Sequence, residues 1–239
     1  MIHSFGISHV GRVRKNNEDR HLEDPALGLY LVADGMGGAL AGERASQLAA
    51  DTIAAQIGAI GPSAGPEDLE RAVHAANQIV RSEARSNAQY SGMGTTIVAV
   101  LLKQGKAYVA NVGDSRLYRM RNGSLECITN DHSWVNEVGR NIGLSDEELK
   151  THAYRNMLTR AIGADDTVEG ELVEVGFAPG DMLLLSTDGL HGVIGDSRIA
   201  DILTSSSSLP AMGQALINGV LESGAPDNVT AVLISADYD

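Results

Sequence analysis

Four times in this chain of 239 residues an aspartate stands at the end of a strand-like apolar run. Leu29 to Ala33 leads into Asp34-Gly35, Tyr108 to Val112 into Gly113-Asp114, Met182 to Thr187 into Asp188-Gly189, and Asp227-Asn228 opens Val229 to Ile234. Aspartates at strand ends can meet at one sheet edge, where their carboxylates repel one another and resist ionisation unless cations sit between them. Together with Asp19 and its neighbour Glu18 they form an oxygen-only donor set, free of His and Cys, that suits Mg²⁺ or Mn²⁺ better than zinc or copper. Gly35, Gly37 and Gly38 allow a sharp turn after Asp34 and let a backbone carbonyl approach a cation closely. Any single Asp-Gly pair is an ordinary turn former; it is the fourfold pairing with strands that points to metal chemistry.

A cation cluster also needs something to hold an anionic substrate, and Arg12-Val13-Arg14-Lys15 lies just before Glu18-Asp19. Arginine grips phosphate in a bidentate fork, which makes Arg14 a candidate, whereas Lys15 reads as a solvated basic edge.

Strand and helix signals come in blocks rather than in a strand-helix-strand rhythm. The expected class is therefore α+β, with packed antiparallel sheets and flanking helices. Strands are expected at Ile2 to Ser8, Leu29 to Ala33, Thr95 to Leu102, Lys106 to Val112, Ser115 to Arg119, Leu125 to Thr129, Gly170 to Val175, Asp181 to Ser186 and Val229 to Ile234. Helical spacing of apolar residues predicts helices over about Glu43 to Ile57, Glu67 to Arg85 and Pro210 to Glu222. Asn122-Gly123 supplies the positive φ angles of a tight hairpin. Asp131 to Ala164 breaks the strand pattern and reads as an insertion near the site, with Ser145 to Glu148 resembling a helix N-terminus.

Length and a 43% hydrophobic content favour one domain over residues 1–239. The formal net charge of -13 opposes binding to nucleic acid or an anionic membrane. Cys127 is the only cysteine, so an intrachain disulfide and a thiolate zinc site are excluded. The N-terminus lacks the pattern of a signal peptide, and no apolar run approaches the ~20 residues that span a bilayer. The expectation is a cytoplasmic monomer.

Six motifs in order now carry a resemblance: Gly11 to Asp19, Asp34-Gly35-Met36-Gly37-Gly38, Gly94-Thr95-Thr96, Gly113-Asp114-Ser115-Arg116, Ser186 to Leu190, and Pro226 to Thr230. The set, spread over nearly the whole chain, resembles that of bacterial PP2C-type, metal-dependent Ser/Thr protein phosphatases. The resemblance implies a four-layer α-β-β-α sandwich, with two mainly antiparallel sheets, a helix pair on each outer face, and a flap-like insertion at about 131–164. It implies two bridged Mn²⁺ or Mg²⁺ ions and a weaker third. Asp34 would bridge the two, Gly35 would offer its carbonyl, and Asp188 and Asp227 would complete one shell. Asp19 and Glu18 would act largely through water, Asp114 with Asp188 would hold the third ion, and Arg14 would clamp the phosphoryl group. The implied reaction is hydrolysis of phosphoserine and phosphothreonine in a protein by a metal-activated water, opposing a bacterial Ser/Thr kinase. The competing readings are a catalytically weak phosphoprotein-binding module and a phosphatase of a small metabolite.

Two positions depart from relatives. Met36 stands where many eukaryotic members have a histidine, and Ala39 where many bacterial ones do. The leaving-group acid is thus unassigned, with metal-bound water the default. Thr95 and Thr96 are expected to satisfy buried backbone groups, Arg116 to make a structural ion pair, and Asn228 to support the site from behind. His132 and His191 are read as structural, Trp134 as a packing residue, and Cys127 as a strand residue rather than a nucleophile.

Overall fold

The run Leu29–Met36, strand β3, shows how the layers arise. Successive side chains of a strand point to opposite faces, so the first five residues of β3, Leu29 to Ala33, apolar at every position, have to be covered on both. Leu29, Leu31 and Ala33 pack against helices, whereas Tyr30 and Val32 pack against a second sheet, and all five are buried. The computed structural model describes residues 1–38, 40–205 and 208–236. Ala39 and the middle of the Ser205 to Ser208 run lie outside them.

One sheet has the order β1 (Ile2–His9), β11 (Val229–Ala236), β10 (Met182–Ser186), β7 (Arg116–Arg121) and β8 (Ser124–Cys127). The other runs β2 (Asp19–Asp24), β3, β5 (Ile97–Lys103), β6 (Lys106–Val112) and β9 (Glu171–Gly176), with the short β4 (Gly94–Thr95) paired to β3. Every pairing between these strands is antiparallel. Val98, Val100 and Val109 of one sheet meet Leu183, Leu185, Val232 and Ile234 of the other between the layers. Helices α1 (Ala41–Ile60) and α2 (Pro66–Ser86) cover the second sheet through Ala45, Ile53, Leu69 and Val80. A short helix, α3 (Asp146–Thr151), belongs to the connection from β8 to β9. Helices α4 (Asp188–Ser205) and α5 (Leu209–Glu222) cover the first sheet through Leu190, Ile199, Leu216 and Val220. This is the expected α-β-β-α sandwich. Among the described residues no helix is long and apolar enough to cross a membrane.

The local expectations hold in most places. The β7–β8 hairpin turns through Asn122 (φ 52°) and Gly123 (φ 77°), with Arg121 opposite Ser124. Ser145 caps α3, accepting a bond from the Glu148 N–H while the Glu148 carboxylate accepts one from the Ser145 N–H. Three differences have physical reasons. β2 has the sequence DRHLED and lies at a sheet edge, where half-exposed side chains need not be apolar, so no strand pattern marks it. The predicted strand Thr95 to Leu102 is interrupted at Thr96, whose N–H donates to the Asp34 carbonyl (2.9 Å). Helix α4 carries Gly189, Gly192 and Gly195, poor helix formers that mask its period, and it breaks at Gly195 (φ 72°).

Candidate active site

Asp34, Asp114, Asp188 and Asp227 line one cleft of about 770 Å³, together with Glu18, Gly35 and Arg14. The sheets bring them there by register. Asp34 lies opposite Asp19 in the β2–β3 ladder, so Asp19 too is at a strand end, although its sequence gave no such sign. Asp114 follows β6 and Asp227 precedes β11, as expected. Asp188 begins α4 rather than ending a strand turn, which places its carboxylate at a helix N-terminus.

Two glycines make the convergence sterically feasible. A Cβ on Gly35 would lie 2.1 Å from the Gly42 carbonyl oxygen and 2.6 Å from that of Glu18. Gly35 is therefore required for close backbone approach inside β3; the turn expected there is made by Gly37 (φ 131°) and Gly38 (φ 87°). A Cβ on Gly189 would stand 1.8 Å from the Asn228 carbonyl oxygen. That contact packs the residue after Asp188 onto the residue after Asp227, setting the two carboxylates side by side.

Asp34, Asp19, Glu18 and Asp227 each have a supporting bond. The Asp34 N–H donates to Thr96 Oγ1 (3.0 Å), and Thr95 Oγ1 donates to the Asp34 carbonyl (2.9 Å). The Thr96 hydroxyl bonds in turn to Ser115 (2.7 Å). Thr187 Oγ1 donates to Asp19 Oδ2 (2.9 Å) and accepts the Thr230 N–H (3.0 Å), tying β2 to β11. Asn228 Oδ1 accepts the Glu18 N–H (2.8 Å), while its amide group donates to the carbonyls of Val10 and Asn16 (both 2.9 Å). Arg14 Nη2 lies 2.7 Å from Asp227 Oδ2.

The charges are under strain. Burial, with help from Asp188 and Asp227, pushes Asp19 up to about 7. Burial and the carboxylates of Asp188 and Asp131 push Asp114 up to about 7. Asp34 is held well above the carboxylate range by burial, by Asp19 and by Asp188, with which it shares a hydrogen bond. Burial and Asp227 also raise Asp188, and burial raises Glu18. Asp19 Oδ1 is buried and makes no hydrogen bond. A cluster that must hold protons to relieve its own repulsion will exchange them for divalent cations, so the donor set fits a hard metal. Among the described residues no three ligating side chains enclose a cation by themselves.

A family model for protein phosphatase 2C matches residues 6–233. The chain belongs to the protein phosphatase 2C family. It is 34% identical over 243 residues to the serine/threonine phosphatase stp of Listeria monocytogenes, a match that takes in 99% of this chain and 96% of that one. PppA, a key regulatory component of T6SS in Pseudomonas aeruginosa, is 37% identical, with a TM-score of 0.85 and 98% and 97% of the two chains covered. The catalytic domain of the serine threonine protein phosphatase PstP, in complex with 2 manganese ions, is 31% identical at a TM-score of 0.89, with 99% of each chain covered.

Other family positions take the supporting places expected of them. Arg116 forms a bidentate pair with Asp131 (2.8 and 2.7 Å). His132 Nδ1 accepts the Gly113 N–H (3.2 Å), and buried His191 bonds to Ser186 (3.0 Å). Trp134 stacks on His152 with centroids 4.2 Å apart and does not line the cleft. Cys127 ends β8, exposed and away from the cleft. Asp19 lies behind the lining rather than in it. Sequence reasoning missed Thr187 and Ser115 as supports. Their signal was a hydroxyl residue one position from a motif aspartate. It also gave no individual role to Asn156 to Ala161, which form the opposite lip of the cleft.

Proposed function

We propose that the chain is a Mn²⁺- or Mg²⁺-dependent protein phosphatase that hydrolyses phosphoserine and phosphothreonine and opposes a Ser/Thr kinase. The observation that carries this reading is the gathering of four aspartates, the Gly35 backbone and Arg14 around one cleft. Asp34, the Gly35 carbonyl, Asp188 and Asp227 would hold two cations, Asp19 and Glu18 would support that pair, and Asp114 with Asp188 would hold a weaker third. When bound, such cations neutralise the phosphoryl charge and lower the pKa of water. The manganese complex of the related PstP domain supports the choice of metal.

The chain's own groups do the rest. Arg14 uses one nitrogen on Asp227 and keeps further donors of its guanidinium fork for phosphate oxygens. The Asp227 carboxylate thereby aims Arg14 into the cleft. The hydroxyls of Thr95, Thr96 and Thr187 fix Asp34 and Asp19, so no reorganisation is needed as charge shifts during hydrolysis. Water adds to phosphorus, and the side-chain alcohol leaves with a proton. Residues 1–239 act as one catalytic unit with 131–164 as its flap, since 156–161 and 164 face the carboxylates across the cleft. A monomeric state and a cytoplasmic location complete the reading.

The test is hydrolysis of p-nitrophenyl phosphate and of a phosphothreonine peptide with Mn²⁺, with chelator, and by Asp34→Asn. Turnover in wild type with Mn²⁺ that chelator or the substitution abolishes is the expected outcome; turnover indifferent to both would refute it.

A further inference from the structure

A second cleft of about 590 Å³ adjoins the first, and Met36 and Ala164 line both. Its other walls include Arg81 and Arg85 of α2, Gly92 and Gly163. The ridge between the clefts is fixed from beneath: the Gly163 N–H donates to Asn77 Oδ1 (2.7 Å), and Asn77 Nδ2 donates to the Asp165 carbonyl (3.0 Å). Asn77 is buried, and Arg81 Nη1 donates to the Ala164 carbonyl, so the ridge and the Arg81 guanidinium are held in place together.

Both arginines turn onto a single carboxylate oxygen. Arg81 Nε and Arg85 Nη2 lie 2.6 and 2.8 Å from Asp166 Oδ1. The Arg81 side chain is 21% exposed and that of Arg85 63%, whereas Asp166, at 72%, stands largely in water. The two arginines therefore share one exposed anion from their own chain, and the trio of Arg81, Arg85 and Asp166 carries one positive charge in excess. In a protein of net charge -13 an acidic ligand is repelled by most of the surface, so this pair beside the cleft is a local exception.

We propose that Arg81 and Arg85 form an anion subsite for the phosphopeptide, taking an acidic side chain near the phosphorylated residue after it displaces Asp166. The proposal rests on the phosphatase reading and deepens it by naming a substrate preference. The shared ligand chemistry is an anionic group, either the carboxylate of Asp or Glu or a second phosphate on the same peptide.

The experiment uses the full chain with Mn²⁺ and a phosphothreonine peptide in an alanine background, with one glutamate moved through the positions on either side. At one position glutamate is expected to lower KM by up to about fivefold, the upper end for an exposed ion pair. Arg85→Gln is expected to abolish that gain and Asp166→Asn to enlarge it. Neither should change turnover of p-nitrophenyl phosphate. Opposite shifts from the two variants mark a binding competition, which a merely structural ion pair does not produce. Shifts in the same direction, or equal shifts for the alanine and glutamate peptides, would overturn the proposal. A peptide carrying a second phosphothreonine separates the two sources: a gain larger than that of glutamate assigns the subsite to phosphate, an equal or smaller one to carboxylate. If wild type does not hydrolyse p-nitrophenyl phosphate, the phosphatase reading fails. The fluorescence anisotropy of a labelled glutamate peptide then decides the subsite alone, by the same opposite shifts in Kd or their absence.

Discussion

The two walls of the cleft are built in different ways. The carboxylate wall is held by bonds between residues far apart in the chain: Thr187 to Asp19, Asn228 to Glu18, Ser8 to Thr230 (2.8 Å). It stands on strands whose core residues are fully buried. The opposite lip, within 131–164, is held mainly by bonds made inside that segment, such as the Trp134 N–H to the Met157 carbonyl (2.8 Å), the Thr159 N–H to the His132 carbonyl (3.0 Å) and the stacking of Trp134 on His152, with ties to the rest of the fold at Thr95–Ile162, Asn77–Gly163 and Arg116–Asp131. Its apolar residues Ile142, Tyr154 and Met157 stay exposed. The difference teaches that the carboxylates are fixed by bonds across the whole chain, whereas most of the lip rests on contacts within one segment, so the lip is the wall expected to open at lower free energy.

The contrast can be broken at several points. Asp34→Asn should cost at least about 10³ in kcat towards both small and peptide substrates, corresponding to several kcal/mol of charge stabilisation; steady-state kinetics with Mn²⁺ checks this. Thr187→Val leaves Asp19 without its donor and the Thr230 N–H without its acceptor. An expected loss of about 10- to 100-fold in activity or metal affinity, with about 1–3 kcal/mol of stability, is read by metal titration and denaturant unfolding.

Proton linkage tests the carboxylate wall without mutation. Asp19 and Asp114 titrate near 7 in the metal-free fold and near 4 when unfolded. The folded chain thus binds more protons than the unfolded one across that window, so its stability falls as pH rises from about 4 to 7. Thermal unfolding in chelator should show a lower Tm at pH 7.5 than at pH 5.5. Added Mn²⁺ should reverse the trend, releasing protons as it binds.

The smallest effect belongs to the lip. Trp134→Ala should cost about 1–2 kcal/mol or less in global stability and alter kcat/KM for a phosphopeptide only a few-fold, leaving p-nitrophenyl phosphate turnover unchanged. Equal losses on both substrates would show that the two walls are coupled. Hydrogen exchange would sharpen the same point, with amides of the 135–157 segment exchanging well before those of β3 and β11.

Much of this was legible in the chain. The strand-end aspartates, the Asn122-Gly123 hairpin and the faces of α1 and α2 follow from local rules, because period and turn chemistry are set by nearest neighbours. Edge strand β2 was hidden because an edge tolerates charged residues on its exposed side. Helix α4 was hidden because its glycines serve packing against Asn228 and a break at Gly195 rather than helix propensity.

Residue types and order alone determined an oxygen-donor cluster, a hard-metal preference and an α+β sandwich, since carboxylates, glycines and alternating apolar runs have few other uses together. Only the tertiary structure decided that Asp19 faces Asp34, that Arg14 rests on Asp227, that Thr187 braces the cluster, and that Arg81 and Arg85 share Asp166 beside the cleft. All but the Asp19–Asp34 pair join residues at least 81 positions apart, and their partners are chosen by sheet register and layer packing, which no local pattern encodes.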